Sequence, residues 1–468
     1  MAEINKFMFR EYDIRGVAGA ELREREAELI GKAFGTFVKR QGQKEIVVGR
    51  DCRVSSPSLS KAFIAGLLST GCDVVDIGLA AHGLVHYALR FASKGNAAFV
   101  TASHNPPKFN GFKLMCDSKS LFGKDIYGLV DLIEKEDFEK GAEGAGTQSG
   151  VGKLSSANVF DKYSAFLKSK IKLKRKVKLV VDCGNGMAAL SMPRILEELG
   201  CDVKGLYCEL DGTFPNHPAD PVVAANLQDL IEKVKKEKAE FGIAFDGDGD
   251  RVGIVDENGK IIWGDQLTAI FSKQILAKHP AGKIVFEVNC SQALEEVIRG
   301  HGGKPIQCKV GHSIIEDVMH REKALLAGEM SGHLFFADDF YGIDDAVYVA
   351  LRFVELVSSL SRGAEPVSSL LKDYPKYYSS QQYRPYCEDE KKFEIVKKIS
   401  AEFKKEGHNV LELDGAKVIF NDGWGIVRAA NTAPQLTLRF EGKTEAAMQR
   451  IKQMFVEKLK KHGVDFNG

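Results

Sequence analysis

The segment FDGDGDR (245–251) alternates three carboxylates, Asp246, Asp248 and Asp250, with glycines. Carboxylates this close repel one another unless a cation sits among them. Glycine lets the backbone turn sharply enough for all of them to converge. Hard oxygen donors suit Mg²⁺ or Ca²⁺ better than zinc. The spacing also fits an EF-hand loop, with Glu257 at its twelfth position. Arg251 then falls where that loop needs glycine, and the flanking residues read as strands, which argues against it. A solvated acidic turn is the plainer alternative.

A second candidate is TASHNP (101–106), directly after the apolar run NAAFV (96–100). Ser103 stands where a strand should end, beside an imidazole and just ahead of a proline; it reads as a turn residue or as a nucleophile. FREYDIRG (9–16) crowds Arg10, Tyr12 and Arg15 ahead of a glycine, as an edge strand with exposed charges or as a segment that places Arg15 in a cleft. In GEMSGH (328–333) a glycine-bracketed carboxylate, Glu329, suits a pair of sugar hydroxyls, since one carboxylate accepts from two donors at once. It reads equally as a surface charge. VRAANTAPQLTLRF (427–440) places Arg428, Asn431 and Thr432 in a loop between two strands. Those donors make a phosphate cradle, or the segment is an ordinary hairpin with an arginine on its shoulder.

These loops need a scaffold. With 468 residues the chain exceeds one hydrophobic core, and two to four domains are expected. It is 44% hydrophobic and 28% charged, the balance of a globular protein. The 65 basic and 64 acidic residues leave a net charge of +1, so no one-sign field is on offer to nucleic acid or to an anionic membrane. Nine scattered cysteines without a CxxC pair, a charged N-terminus and no long apolar run point to a reducing cytoplasm and no membrane span.

A weak repeat organises the chain. Residues 45–78, 178–206 and 283–311 each read as a β-branched strand, a polar or glycine-containing turn, an apolar-periodic helix, a glycine stop and a second strand. That is a βαβ unit, and three copies roughly 100 residues apart suggest three related α/β domains. The glycine-rich stretch 139–154 reads as a linker or exposed hairpin, and the turn at Asp256 as another boundary. Beyond about residue 370 the pattern gives a helix, strands, a hairpin and a final helix, a different α+β unit. The expected domains are therefore 1–152, 153–255, 256–369 and 370–468.

In this order the motifs resemble the α-D-phosphohexomutase superfamily, most of all its bacterial phosphomannomutase/phosphoglucomutase branch. The resemblance implies a heart-shaped molecule of three α/β domains with mixed sheets plus a C-terminal α+β domain. It implies interconversion of hexose 1-phosphate and hexose 6-phosphate through a phosphoserine, with Mg²⁺ as cofactor and a hexose 1,6-bisphosphate as intermediate and activator. By motif, Ser103 is the phosphorylated residue and, with Asp246, Asp248 and Asp250, a metal ligand. Arg251 contacts the phosphoryl group. Arg15, His104, Lys113 and His312 are electrostatic and proton-transfer groups, Lys113 and His312 also touching substrate with Tyr12. Glu329 and Ser331 read the sugar hydroxyls, and Arg428, Asn431 and Thr432 hold the phosphate that is not reacting. The implied partner is a phosphosugar, taken by a monomer or simple homo-oligomer. GEMSGH favours mannose and glucose phosphates over glucosamine phosphate. The sequence departs from the family pattern at Ala430, where a serine is usual, and at Asn289, where lysine is. Those departures keep open a phosphosugar-binding regulator without turnover, and a phosphatase remains a further alternative.

Overall fold

The computed structural model describes residues 4–141, 151–361, 363–430 and 434–466. The chain divides into two compact units, one formed by Met1–Gly264 with Ser331–Lys372 and the other by Asp265–Met330 with Asp373–Gly468.

All three repeats form the expected βαβ unit. Strands Glu45–Arg50 and Asp73–Leu79 run parallel around helix Ser56–Ser69. Lys178–Asp182 and Asp202–Leu206 do so around Met192–Glu198, and Lys283–Glu287 and Lys304–Cys308 around Gln292–Gly300. Each helix starts with a local signal: proline in the first turn of the first two, and in the third the Ser291 hydroxyl accepting from Ala293 N–H at 3.1 Å.

The first unit carries two mixed sheets. One runs in the order Ile14–Val17, Phe109–Cys116, Ala97–Val100, Glu45–Arg50, Asp73–Leu79, Leu154–Ser156, with Lys119–Ser120 folded onto Phe109–Cys116. Leu154–Ser156 lies just past the expected edge at 152 yet pairs with this sheet. The other runs Ile261–Ile262, Val252–Asp256, Phe241–Phe245, Lys178–Asp182, Asp202–Leu206. Phe241–Phe245 and Val252–Asp256 are buried at every residue, which matches their unbroken apolar runs. Both functional loops of this unit leave the carboxyl ends of buried strands, TASHNP after Ala97–Val100 and the aspartate loop after Phe241–Phe245.

The second unit joins a parallel trio, Lys304–Cys308, Lys283–Glu287 and Leu326–Gly328, to a five-stranded antiparallel sheet. That sheet includes the expected hairpin, Gly423–Ala429 paired with Leu436–Gly442. Helices Asp389–Lys405 and Glu445–Lys461 pack on it, burying Ile399, Phe403, Ile451 and Phe455 against Val418, Leu438 and Phe440. The trio and the sheet share a small core of Val288, Trp424 and Ile426. The α/β and α+β assignments of the repeats and the C-terminal portion thus hold.

Among the described residues, no helix is long and apolar enough to cross a membrane, and all nine cysteines are free thiols.

Candidate active site

The Ser103 loop and the aspartate loop meet within the first unit. Ser103 is buried and adopts a left-handed φ of 48°, which turns the chain sharply after Thr101. Its N–H donates to Thr101 Oγ1 at 2.9 Å, and its hydroxyl donates to Asp246 Oδ2 at 2.6 Å with His104 Nδ1 3.1 Å away. Gly247 makes this approach possible: a Cβ there would lie 2.4 Å from the Ser103 carbonyl oxygen.

The aspartates hang on a hairpin between Phe241–Phe245 and Val252–Asp256, not on a helix–loop–helix, which removes the EF-hand reading. Asp246 Oδ1 accepts from the N–H groups of Gly249, Asp250 and Arg251 at 3.0, 3.0 and 3.1 Å, so the loop is wrapped around one carboxylate. Lys113, midway along Phe109–Cys116, donates to Asp248 Oδ2 at 2.9 Å and to Asp250 Oδ2. Thr101 Oγ1 donates to Asp248 Oδ2 at 3.1 Å.

Electrostatics follow from this crowding. Burial, with Asp250 and Asp248 close by, raises the Asp246 carboxyl well above its ordinary range. Burial also works against charge on Asp250, but Lys113 and His333 more than offset it and hold that carboxyl low. Burial, then Arg251 and Arg15, push the His104 imidazole well below its usual value.

A divalent cation fits this donor set. Asp248 Oδ1 is buried without a hydrogen-bond partner among the described residues, and the Asp246 and Asp250 carboxylates and the Ser103 hydroxyl supply further oxygens beside the His82 and His333 imidazoles. Ligand atoms of Asp248, Asp250 and His82 lie within 4.8 Å of one another, as do those of Asp250, His333 and Asp344.

Arg15 lies on the edge strand Ile14–Val17, opposite Gly111, and donates to Asp13 Oδ2 at 2.8 Å. Loss of water disfavours its charge, yet Asp13, Asp248 and Asp250 raise its pKa. Tyr12 is half-buried just ahead of that strand. Ser331 sits in this unit, its hydroxyl 3.0 Å from His333 Nδ1. His333 Nε2 is 3.2 Å from Asp250 Oδ1 and 3.4 Å from Arg251 Nε.

Glu329, Arg428 and His312 belong to the second unit. Glu329 follows strand Leu326–Gly328 and accepts from Gly311 N–H at 2.8 Å through Oε1. Arg428, buried on Gly423–Ala429, pairs with Asp414. His312 opens helix His312–Glu322 and is buried. Asn431 and Thr432 lie outside the described residues. At the departures, cations arrive from elsewhere in the chain. Arg439 donates to the Asn289 carbonyl, Lys417 to that of Val288 at 2.8 Å, and Lys392 to that of Ala430 at 2.5 Å.

Several site residues carry no distinguishing signal in the sequence. His333 lies within GEMSGH, but only its contact with Asp250 marks it. Arg53 donates to the carbonyls of Pro106 and Phe109 at 2.9 and 3.0 Å and of Ser103 and Asn105 at 2.7 and 2.6 Å. Its Nε lies 3.2 Å from buried Asp51. Nothing in GRDCRVSS distinguishes it from a surface arginine.

Glu287 is another. It ends a strand neighbouring the one that leads to Glu329, and burial together with Glu329 pushes its carboxyl up to about 7. The folded state therefore keeps a proton that the unfolded chain has already released, so this group costs stability progressively as pH rises from its ordinary value of 4.5 to about 7. Glu287→Gln is expected to remove that dependence. Urea titrations at pH 5 and pH 8 should show the stability gap between variant and wild type widening by up to about 3 kcal/mol at the higher pH; an unchanged gap contradicts the assignment.

Comparison with known proteins gives this site its context. Four phosphoglucomutase/phosphomannomutase domain families match in succession: alpha/beta/alpha domain I over residues 6–140, domain II over 160–259, domain III over 263–378, and the C-terminal domain over 386–458. The chain belongs to the phosphoglucomutase/phosphomannomutase family. It is 41% identical over 453 residues to the phosphomannomutase/phosphoglucomutase of Pseudomonas aeruginosa, spanning 97% of this chain and 95% of that protein. It is 37% identical to a phosphoglucomutase of Neisseria meningitidis, spanning 97% of each. A crystal structure of a phosphoglucomutase/phosphomannomutase family protein from Burkholderia thailandensis matches with a TM-score of 0.90 at 37% identity, over 99% of each chain.

Proposed function

We propose that this chain interconverts hexose 1-phosphate and hexose 6-phosphate, with mannose and glucose phosphates as substrates, by way of a phosphoserine at Ser103. It is a hexose-phosphate mutase, an isomerase, as the names of its full-length relatives state. The observation that carries the serine mechanism is the 2.6 Å hydrogen bond from the buried Ser103 hydroxyl to an aspartate of a carboxylate cluster that also holds Lys113.

In the first half-reaction the bond between the phosphoryl group and Ser103 Oγ breaks and one to the free sugar hydroxyl forms. That hydroxyl's proton passes to the serine oxygen. The resulting hexose 1,6-bisphosphate turns end over end and returns its other phosphate to Ser103, releasing the isomer. A small amount of the bisphosphate therefore primes the enzyme. Asp246, Asp248 and Asp250, with a phosphoryl oxygen on Ser103, would hold Mg²⁺. When bound, that ion offsets charge on the phosphoryl oxygens in a loose transition state. Lys113, Arg15 and Arg251 add positive charge around the same group, and His104, His333 and His312 are the imidazoles available for proton handling. Tyr12 contacts substrate, Glu329 and Ser331 read sugar hydroxyls, and Arg428 with Asn431 and Thr432 holds the distal phosphate. Four domains are proposed at 1–152, 153–255, 256–369 and 370–468; the four matched families support their number and order, while the second and third spans end a few residues beyond the corresponding boundaries, at 259 and 378. The names of the relatives support a phosphosugar partner, and charge balance and free thiols support a cytoplasmic setting with neither nucleic acid nor membrane; a monomer or simple homo-oligomer is the proposed state.

Turnover of mannose, glucose and glucosamine 1-phosphates, compared side by side with a bisphosphate primer, tests the substrate. Preference for glucosamine 1-phosphate overturns it, and sustained release of inorganic phosphate points instead to a phosphatase. Chelation of divalent cations is expected to reduce transfer to background and added Mg²⁺ to restore it; full activity in chelator contradicts the metal role.

A further inference from the structure

Two consecutive backbone amides in the second unit hold two different carboxylates. Val310 N–H donates to Asp414 Oδ2 at 3.0 Å, and Gly311 N–H donates to Glu329 Oε1 at 2.8 Å. The same Asp414 oxygen accepts from Arg428 Nε at 3.0 Å and lies 2.9 Å from Arg428 Nη2. One face of the guanidinium is thus fixed from its own sheet, and Nη1 has no protein acceptor among the described residues. Gly311 has φ 134° and ψ 123°, a backbone state that a residue with a Cβ rarely adopts. The link between the two carboxylates therefore specifies glycine at position 311.

We propose that Asp414 is a positioning residue: it orients Arg428 towards a bound phosphate and, through the Val310–Gly311 amides, couples that arginine to the sugar-reading Glu329. The coupling rests on the mutase reading of Arg428 and Glu329. Phosphate drawn to Arg428 pulls on Asp414, Asp414 holds Val310, and the adjoining amide sets the Glu329 carboxylate. An anion at one end and hydroxyls at the other then bind better together than apart. A substrate that inverts between half-reactions presents one phosphate and the sugar hydroxyls each time, so this linkage serves both orientations. Adjacent amides each donate to one of two carboxylates that lie beside strand ends, which makes the path short and physically continuous.

The test is a double-variant cycle with Asp414→Asn and Glu329→Gln in the full chain. It is read by steady-state kinetics on glucose 1-phosphate and by calorimetric binding of glucose 6-phosphate and of inorganic phosphate. Asp414→Asn is expected to raise KM about tenfold with a much smaller change in kcat. That penalty should shrink at least about threefold in the Glu329→Gln background. Inorganic phosphate, which lacks hydroxyls, should lose affinity on Asp414→Asn by the same factor whether or not Glu329 is present. Asp414→Glu, which keeps the charge, should recover part of the KM. Additive penalties overturn the coupling. A lowered melting temperature with kcat and KM unmoved reduces Asp414 to a structural residue and overturns the proposal as well. A wild-type chain that neither binds nor turns over hexose phosphates sinks the mutase reading and this inference with it; an active wild type with additive variants sinks this inference alone.

Discussion

Ser103→Ala is expected to reduce phosphoryl transfer to background, a loss on the order of a million-fold where a nucleophile is removed outright. The reason is specific to the site. Ser103 supplies the only hydroxyl that donates to Asp246 Oδ2 among the described residues, and the three backbone donors on Asp246 Oδ1 do not depend on it. The aspartate loop should keep its shape, and hexose phosphate should still bind. Intact-mass measurement gives a second reading. Wild type treated with hexose 1,6-bisphosphate should carry one added phosphate, and the variant none. A variant that still turns over, or a wild type that never acquires phosphate on this residue, removes the phosphoserine from the mechanism.

Arg53→Ala is expected to cost about 3–5 kcal/mol of stability, the range for breaking a buried ion pair by removing one partner. Arg53 is fully buried and its guanidinium serves four carbonyls of the loop that carries Ser103, while its charge answers buried Asp51. Alanine removes the countercharge from buried Asp51, which keeps neutral donors such as Ser56 Oγ and the backbone N–H at position 53, and strips the guanidinium from the four carbonyls. Arg53→Lys should recover only part of the loss, because a lysine has three donors on one atom and cannot span the turn. Denaturant titration measures the cost, and the rate of phosphorylation of Ser103 reports whether the loop is still held. Stability unchanged within error in the alanine variant contradicts this account.

What the sequence disclosed follows the range over which each signal acts. The βαβ repeats were legible because strand, helix and turn patterns are local, and each copy folded as read. The aspartate loop was legible because its three carboxylates repel within six residues of chain. Arg53 was not, since its meaning comes from carbonyls some fifty positions further on. Asp414 was hidden for the same reason: its partner Val310 is 104 positions away. The departure at Asn289 looked like a missing positive charge, yet Arg439 and Lys417 reach that loop from two strands of the C-terminal sheet. Burial lowers the Lys417 ammonium to about 8, offset in part by Glu441 and Glu287, so it remains mostly charged at neutral pH. Single-residue comparison with a motif misses such replacement because the substituting group lies elsewhere in the chain.

The crossing of the chain between its two compact units bears on how the protein can be made. The stretch GEMSGH changes unit between Met330 and Ser331, so neither unit is one continuous piece. On a ribosome emitting about 5–20 residues each second, the amino-terminal body cannot finish until Ser331–Lys372 has emerged, bringing strand Leu334–Phe336 and helix Ala346–Ser359. By then Asp265–Met330 has been waiting outside the tunnel, its own partners still unsynthesised at Asp373–Gly468. Birth order and architecture are therefore interleaved. A nascent chain stalled near residue 330 holds two half-built bodies at once, each with apolar surface still awaiting its partner segment.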